Sequence, residues 1–274
     1  MIEVSVVIPA RDEIATLALV VEKVEAALTR GGWQGELILV DDGSTDRTAA
    51  EADCLAATHP LLRVYHHRRP LGLTAALQTA FGAALGQVII FLPADLESDP
   101  EKDIPRLMHK LAEGYDAVAG WRQGRRERKA FASGIYNWVS RRLFGLQAHD
   151  LNWIKAFRRE VIESLPPLRS DWHRFLLHLA AAQGFRIGEV ATPYQPRQSG
   201  RSKFGIGRLP VSLLDVLVVW FLITFSRQPM RFFGSLGLLC FGISGTVFAY
   251  LIALYLMFER QQRPIFLAAG GLAI

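Results

Sequence analysis

Through its first two hundred residues the chain alternates short β-branched runs with amphipathic stretches, then turns almost wholly apolar. Strand-like runs fall at residues 4–8, 37–40, 63–65, 88–92, 117–119 and 154–157, with 187–190 as an edge strand. Helical stretches lie between them at 16–29, 48–57, 73–85, 105–113, 130–144 and 172–183. In the first of these Leu17, Val21, Val24 and Leu28 recur at helical spacing, so one face can pack on a sheet. Strand–helix alternation of this kind predicts an α/β domain whose mainly parallel sheet is covered by helices on both faces.

The apolar excess is concentrated after Gly207. Residues 232–258 carry no charge and would reach roughly 40 Å as a helix, against a hydrocarbon core of about 30 Å. They are predicted to span a membrane. Residues 211–225 are apolar but short and interrupted by Asp215, which favours a helix lying in the membrane interface over a short span. Beyond the polar hinge 259–264 the last apolar residues are too few to cross. The expected organisation is a soluble domain at 1–207 and an amphipathic juxtamembrane helix at 208–228. A transmembrane region at 229–274 then holds one full span, 232–258, and the start of a second, 264–274.

Composition sharpens this picture. The chain has 274 residues, half of them hydrophobic. Its mean hydropathy is +0.19, high for a soluble protein. The first apolar segment is short, contains Glu3 and ends at Pro9, unlike a signal peptide, so the first domain is expected in the cytosol. Of the two cysteines, Cys54 and Cys240, the second lies in the expected span, a placement that suits a reducing compartment rather than a disulfide. Arg227 and Arg231 precede the span while Arg260 and Arg263 follow it, so flanking charge orients it only weakly. Gly234, Gly237, Gly242 and Gly245 would let helices approach closely, which permits a homo-oligomer.

The candidate chemistry sits at strand ends. The run at 37–40 stops at Asp41 and Asp42, followed by Gly43-Ser44. Ligands of open α/β sheets bind beyond the carboxyl ends of the strands. Ionised carboxylates there accept hydrogen bonds from hydroxyls and ring N–H groups and repel bare phosphate. The first strand ends in the same way, at Pro9, before Asp12 and Glu13. Neither turn carries G-x-G-x-x-G or G-K-[ST], so a nucleotide would be held by base and ribose, which disfavours dehydrogenase and ATPase chemistry. After the fourth strand, Asp95 and Glu97 are two apart and would share a side of an extended segment. Such hard oxygen ligands suit Mg²⁺ or Mn²⁺. Asp99 to Asp103 read as a helix cap.

Basic clusters follow at 122–129 and 197–203. Anionic lipid headgroups and a phosphate clamp compete to explain them. Nucleic acid is the weakest reading despite a pI of 9.4, because much of the charge adjoins a membrane segment. His66-His67 and His173/His178 lack metal-ligand spacing and read as surface or packing residues.

Four motifs together resemble family 2 glycosyltransferases of the GT-A fold. They are Val6-Val-Ile-Pro-Ala-Arg-Asp-Glu13, Leu39-Val-Asp-Asp-Gly-Ser-Thr-Asp46, Pro93-Ala-Asp-Leu-Glu97 and Gly200-Arg-Ser-Lys-Phe204. Within that family the chain is most similar to the polyprenyl-phosphate glycosyltransferases of the dolichyl-phosphate mannosyltransferase-like group, over roughly residues 2–230. The resemblance implies a Rossmann-like GT-A domain followed by interfacial and transmembrane helices. It implies that Pro9, Asp12, Glu13, Asp41 and Asp42 line the nucleotide pocket and that Asp95 and Glu97 bind the divalent metal. Asp150, in His149-Asp-Leu-Asn-Trp153, matches an acid close to donor sugar and acceptor. Arg122, Arg126, Arg128 and Ser133 fall in the acceptor loop, and Arg197, Ser202 and Lys203 in a second phosphate-binding segment. The chain departs from the family at Pro93, where an acid is usual, at Glu97 for Gln, at Asn152-Trp153 for Ser-Gly, and at Arg69 for Asn.

The implied reaction is inverting, metal-dependent transfer of a sugar from a UDP- or GDP-sugar to a polyprenyl phosphate, undecaprenyl or dolichyl, at the cytosolic membrane face. Asp95 and Glu97 with Mg²⁺ or Mn²⁺ would hold the leaving group, Arg197 and Lys203 would neutralise phosphate, and Asp150 would orient reactants or act as base. Two rivals compete. A processive polysaccharide synthase would carry a Gln-x-x-Arg-Trp motif, which the chain lacks. A catalytically silent nucleotide-sugar-binding membrane protein is suggested by Pro93.

Overall fold

The computed structural model describes residues 2–123, 142, 144, 146, 148–151, 153–168, 172–194, 209–225 and 229–257. The chain divides into two compact units, Met1–Val216 and Leu217–Ile274.

In the first unit strands and helices alternate as β1 (Val4–Ala10), α1 (Ile14–Gly31), β2 (Gly35–Asp41), α2 (Thr48–Thr58), β3 (Leu62–His66), α3 (Leu73–Ala83) and β4 (Val88–Phe91). Then come α4 (Pro100–Ala112), β5 (Ala117–Gln123), β6 (Lys155–Arg158), α5 (Arg159–Ser164), a 3-10 turn (Trp172–Phe175), α6 (Leu176–Ala182) and β7 (Ile187–Pro193). The seven strands form one sheet in the order β3-β2-β1-β4-β6-β5-β7. Only β6 runs against the others, antiparallel to both β4 and β5. Every run predicted as a strand is one, the expected edge included. The helix expected at 130–144 lies almost wholly outside the described residues. Helix α4 begins five residues before its expected start, at Pro100, whose missing N–H costs nothing in a first turn.

Burial on both faces explains the near-continuous apolar strands. Val4, Val6, Ile8, Leu37, Leu39 and Ile90 pack with Leu17, Val21 and Val24 of α1 and Ile104, Leu107 and Leu111 of α4 in one buried cluster. On β1 and β2, Val7, Ile38 and Val40 are buried as well, and α3 packs against both strands. Helix α1 stops at Gly32, whose left-handed backbone (φ 68°) lets its N–H close on the carbonyls of Leu28 and Thr29. At α4, Asp99 stands at the N-cap but its side chain caps nothing; it pairs with Lys23 and Lys102, each at 3.0 Å. The Asp99 N–H is instead satisfied by Asp103 Oδ2, at 3.1 Å.

The order of strands sets where chemistry can occur. From β1 the chain moves outward through β2 and β3, then returns to place β4 on the other side of β1. That reversal opens a crevice beyond the carboxyl ends of β1 and β4. Because β6 is reversed, its amino end, and with it residues 149–151 and 153, reaches the same rim.

The second unit contains the end of α7 (Leu209–Phe225) and α8 (Pro229–Met257). Within α8, residues 229–256 are long and apolar enough to cross a membrane, the one such helix among the described residues. The helix starts three residues before the expected span. Phe221, Phe225 and Phe232 interlock there, with centroids of 4.8 Å between Phe221 and Phe232 and 5.0 Å between Phe225 and Phe232.

The sheet is pinned at the edge opposite the rim. Buried Glu36 on β2 accepts Ser5 Oγ and the Leu85 N–H, both at 2.6 Å, and Arg63 Nη1 at 2.8 Å. Removing one member of such a buried network strands the others. Glu36→Ala is therefore expected to cost about 2 kcal/mol, discounted because Arg63 is partly exposed, and to lower the melting temperature by roughly 5 °C. Thermal unfolding of the full chain in detergent reads this directly.

Candidate active site

Two loops at the rim are zipped together by the predicted acids. Asp12 sits in the left-handed region (φ 57°), which Asp tolerates better than most residues. Its Oδ1 accepts the Thr45 N–H at 2.8 Å and the Thr45 hydroxyl at 3.1 Å, while its own N–H donates to Ser44 Oγ at 3.0 Å. The Thr45 N–H chiefly holds this carboxyl below the usual carboxylate range. Glu13 N–H donates to Thr48 Oγ1 at 2.9 Å, tying the same two loops. Pro9 pairs with Val40 in the β1–β2 register, one step short of Asp41.

Asp41 and Asp42 diverge in their tasks. Asp41 accepts the Ser44 N–H at 3.1 Å and lies 3.2 Å from His66 Nδ1. Asp42 takes the N–H groups of Leu71 and Gly72, each at 2.8 Å, and lies 2.8 Å from His67 Nδ1. Partial burial works against its charge, but His67 and the two backbone donors outweigh that and leave the carboxyl below the ordinary range. Asp42 thus spends its lone pairs holding the 67–72 loop. Gly43, at φ 64°, is required between the loops: a Cβ there would lie 2.5 Å from the carbonyl carbon of Arg69. A cavity of about 500 Å³ opens beside them, lined by Asp41, Ser44, Thr45, His66, Arg68 and Arg69 among others. That size suits a small ligand.

At the end of β4 the chain departs from expectation. Leu96 is left-handed (φ 55°) with its side chain buried, so residues 95–97 form a turn rather than an extended segment. Asp95 and Glu97 are nonetheless both buried, at 8% and 7% exposure, and the Glu97 N–H donates to Asp95 Oδ1 at 3.2 Å. Among the described residues no group of three or more His, Cys, Asp or Glu side chains could hold a metal. Asp95 and Glu97 are the two carboxylates of the 95–97 turn.

Arg122, at the end of β5, joins the acidic turn to Asp150. Its Nε and Nη2 donate to the two Asp150 oxygens at 2.5 and 3.1 Å, a bidentate fork, and its Nη1 lies 3.9 Å from Glu97. The guanidinium rests over the Trp153 ring, 4.7 Å from its centroid. Behind this pair Glu189 on β7 accepts the N–H groups of His149 and Asp150, at 2.6 and 3.2 Å, and lies 2.7 Å from His149 Nδ1. His149 in turn stacks on Trp121 at 4.2 Å.

The structure therefore brings Pro9, Asp12, Glu13, Asp41 and Asp42 together on one side of the rim, and Asp95, Glu97, Arg122 and Asp150 on the other. Arg126, Arg128, Ser133, Arg197, Ser202 and Lys203 lie outside the described residues. His66, His67 and Glu189 do more than the sequence reading allowed. For Glu189 a signal existed: it is a lone charge inside a run otherwise suited to a buried strand. For the histidines none did, since their partners lie far off in the chain.

His66 clasps Asp41 and, through Nε2 at 3.0 Å, Asp53. Partial burial opposes its charged form, but the hydrogen bonds to Asp53 and Asp41 raise it above the ordinary imidazole value. Because the folded value is raised, the clasp contributes fully below about pH 6.5 and is lost as pH rises through the folded value. NMR titration is expected to show His66 above the ordinary value in the native chain and lowered by Asp53→Asn.

With this geometry in place, similarity to known proteins identifies the family. The family model described as glycosyl transferase family 2 matches residues 5–162. A dodecaprenyl-phosphate galacturonate synthase from Rhizobium johnstonii is 36% identical over 267 residues, covering 94% of this chain and 77% of that protein. An undecaprenyl-phosphate 4-deoxy-4-formamido-L-arabinose transferase from Pseudomonas paraeruginosa is 33% identical over 281 residues, covering 99% and 78%. Among solved structures, glucosyl-3-phosphoglycerate synthase from Mycobacterium tuberculosis, in complex with Mn²⁺ and UDP-glucose, superimposes with a TM-score of 0.61 at 25% identity, covering 80% of this chain and 78% of the other. The rim acids therefore belong to a GT-A domain, and the chain is a member of glycosyl transferase family 2, similar along nearly its whole length to polyprenyl-phosphate sugar transferases.

Proposed function

We propose that this glycosyltransferase moves a sugar from a UDP- or GDP-sugar to a polyprenyl phosphate with inversion at the anomeric carbon. The observation that carries this reading is the Arg122 bridge, which joins Asp150 and Glu97 at the same sheet edge as Asp41, which lines the 500 Å³ cavity. Two relatives named for transfer to dodecaprenyl and undecaprenyl phosphate support the acceptor class.

In this reading the nucleoside sits against Pro9, Asp12, Glu13 and Asp41, with Asp42 shaping the adjoining loop. The acceptor phosphate, with a second pKa near 6, is already largely ionised at neutral pH and needs no strong general base. One of its oxygens attacks the anomeric carbon from the face opposite the leaving diphosphate. The new C–O bond forms as the bond to the diphosphate breaks, so alignment matters more than proton abstraction. Asp150, fixed by Arg122 and Glu189, orients the reactants. Arg126, Arg128, Ser133 and Ser202 receive the acceptor phosphate, and Arg197 and Lys203 neutralise phosphate charge.

Two buried carboxylates fit a divalent cation of the Mg²⁺ type, which binds through one or two carboxylates plus substrate phosphates. Asp95 and Glu97 would hold it. When bound, such an ion supplies charge stabilisation for the departing diphosphate. The remainder of the reading concerns the membrane: α8 spans it, residues 208–228 lie in its interface, and the catalytic domain faces the cytosol where nucleotide sugars and the lipid headgroup meet.

Membranes containing the protein, incubated with a panel of radiolabelled UDP- and GDP-sugars and undecaprenyl phosphate, are expected to pass one label into the lipid extract. No transfer from any donor would overturn the enzyme reading and favour a silent nucleotide-sugar-binding protein. Asp150→Asn is expected to lower kcat by at least about a hundredfold while donor affinity stays within about threefold. Asp95→Ala should abolish any stimulation of transfer by Mg²⁺ or Mn²⁺, and equal stimulation of the native and altered chains would remove Asp95 from the ion's site.

A further inference from the structure

One wall of the cavity of about 500 Å³ is built around a histidine. His66 ends β3, and its ring joins the last residue of β2 to the second turn of α2. Its Nδ1 lies 3.2 Å from Asp41 Oδ2 and its Nε2 lies 3.0 Å from Asp53 Oδ1. Ionised carboxylates only accept hydrogen bonds, so a ring that meets one at each nitrogen has to donate from both. The imidazolium does that. A neutral ring would donate to one acid and turn a lone pair toward the other. The geometry itself calls for a cation here, and although partial burial opposes the charge, the hydrogen bonds to Asp53 and Asp41 raise the ring above the ordinary imidazole value.

Folding does not account for this arrangement. The Asp53 side chain is 67% exposed, and ion pairs so open to water contribute little to stability. What the clasp faces does account for it, because Asp41, Asp53 and His66 all line the cavity. The other charged or titratable side chains of that lining come from the loop after β3. They are His67, engaged with Asp42 and Thr79 at 2.8 and 2.9 Å, and Arg68 and Arg69. A nucleotide sugar entering here brings an anionic diphosphate, which Asp41 and Asp53 repel. With His66 charged, a cation stands between those acids. With it neutral, the wall holds two carboxylates and no imidazolium to offset them.

We propose that His66 is a donor-binding residue: its imidazolium, held between Asp41 and Asp53, completes the cavity wall and offsets the charge that would repel the donor's diphosphate. The inference rests on reading this cavity as the nucleotide pocket. The clasp also spans the β2–α2 loop, whose Ser44 and Thr45 hold Asp12, so losing it loosens that loop as well. As pH rises through the raised value of His66, the ring gives up a proton, one hydrogen bond of the clasp is lost and the cavity becomes more negative. Donor affinity is therefore greatest below about pH 6.5 and falls as pH climbs through the folded value. Arg68 and Arg69 stay charged throughout and take no part in that fall.

Calorimetric titration of the full chain in detergent with UDP-glucose and with GDP-mannose, from about pH 5.5 to 8, tests this. Each phosphate of a nucleotide sugar is esterified on both sides and lacks the second ionisation near pH 6 that would confuse the profile. The native chain is expected to bind at least one of them with an affinity that falls at least about fivefold across the His66 titration followed by NMR. His66→Gln should bind at least about fivefold more weakly than the native chain at the acid end and show no such fall. Asp53→Asn weakens the clasp but also removes a negative charge from the wall. It should move the fall to lower pH, together with the NMR value of His66, while affinity at the acid end is kept or raised. A fall that persists in His66→Gln, or a native affinity that does not vary with pH, would overturn the role of His66 and leave the nucleotide pocket standing. A native chain that binds neither compound at any pH would remove that reading and this inference together. Loss of binding in His66→Gln beside a lowered melting temperature, with the fall unmoved in Asp53→Asn, would make the histidine structural and overturn the proposal.

Discussion

Crowding carboxylates onto one edge of a sheet is the constraint from which the rest of this structure follows. Asp12, Asp41, Asp42, Asp95, Glu97 and Asp150 converge on one rim, and like charges so placed repel unless donors are built in among them. The protein supplies those donors locally. Backbone N–H groups of Ser44, Thr45, Leu71 and Gly72 face the first three acids, two imidazoles reach in from the end of β3, and Arg122 takes Asp150 and approaches Glu97. The loops between strands and helices thus have their shapes set by the acids, rather than merely carrying them. Positive φ at Asp12, Gly43 and Leu96 falls where the backbone must turn its N–H groups toward a carboxylate or redirect an acid.

The division of labour along the strands follows from the same constraint. At the amino ends, Glu36 ties Ser5, Leu85 and Arg63 into a network remote from any substrate, where a buried polar cluster can serve stability alone. At the carboxyl ends the polar groups must remain able to exchange partners with a ligand. A rim held too firmly could not accept a nucleotide, and one held too loosely would scatter its acids.

Much of the fold was legible in the chain because it rests on short-range pattern. Seven short apolar runs became seven strands, and the acids just past the runs at 4–8, 37–40 and 88–92 fell on one rim. The turn at 95–97 is not legible in the chain, since nothing local announces that Leu96 will take a left-handed backbone with its side chain buried. Partners separated by dozens of residues were illegible for a different reason. His66 ends β3 and His67 follows it, and the parallel pairing of β2 with β3 sets them beside Asp41 and Asp42. Glu189 reaches the backbone of His149 and Asp150 because β7 pairs with β5, a long-range choice that spacing along the chain does not encode.

Arg122 joins the acids on one side of the rim. Its fork on Asp150 fixes the side expected to meet the lipid phosphate, and its remaining amino group lies within reach of Glu97, on the side expected to hold the diphosphate. Asp95 and Glu97 would hold a divalent ion that would supply charge stabilisation to the diphosphate, while Arg122 keeps its fork on Asp150. A neutral residue at this position would leave Glu97 and Asp150 to repel each other before any substrate came. A lysine could satisfy one acid but could not form the fork. The planar, permanently charged guanidinium, braced by the Trp153 ring, is the side-chain chemistry that answers both demands at once.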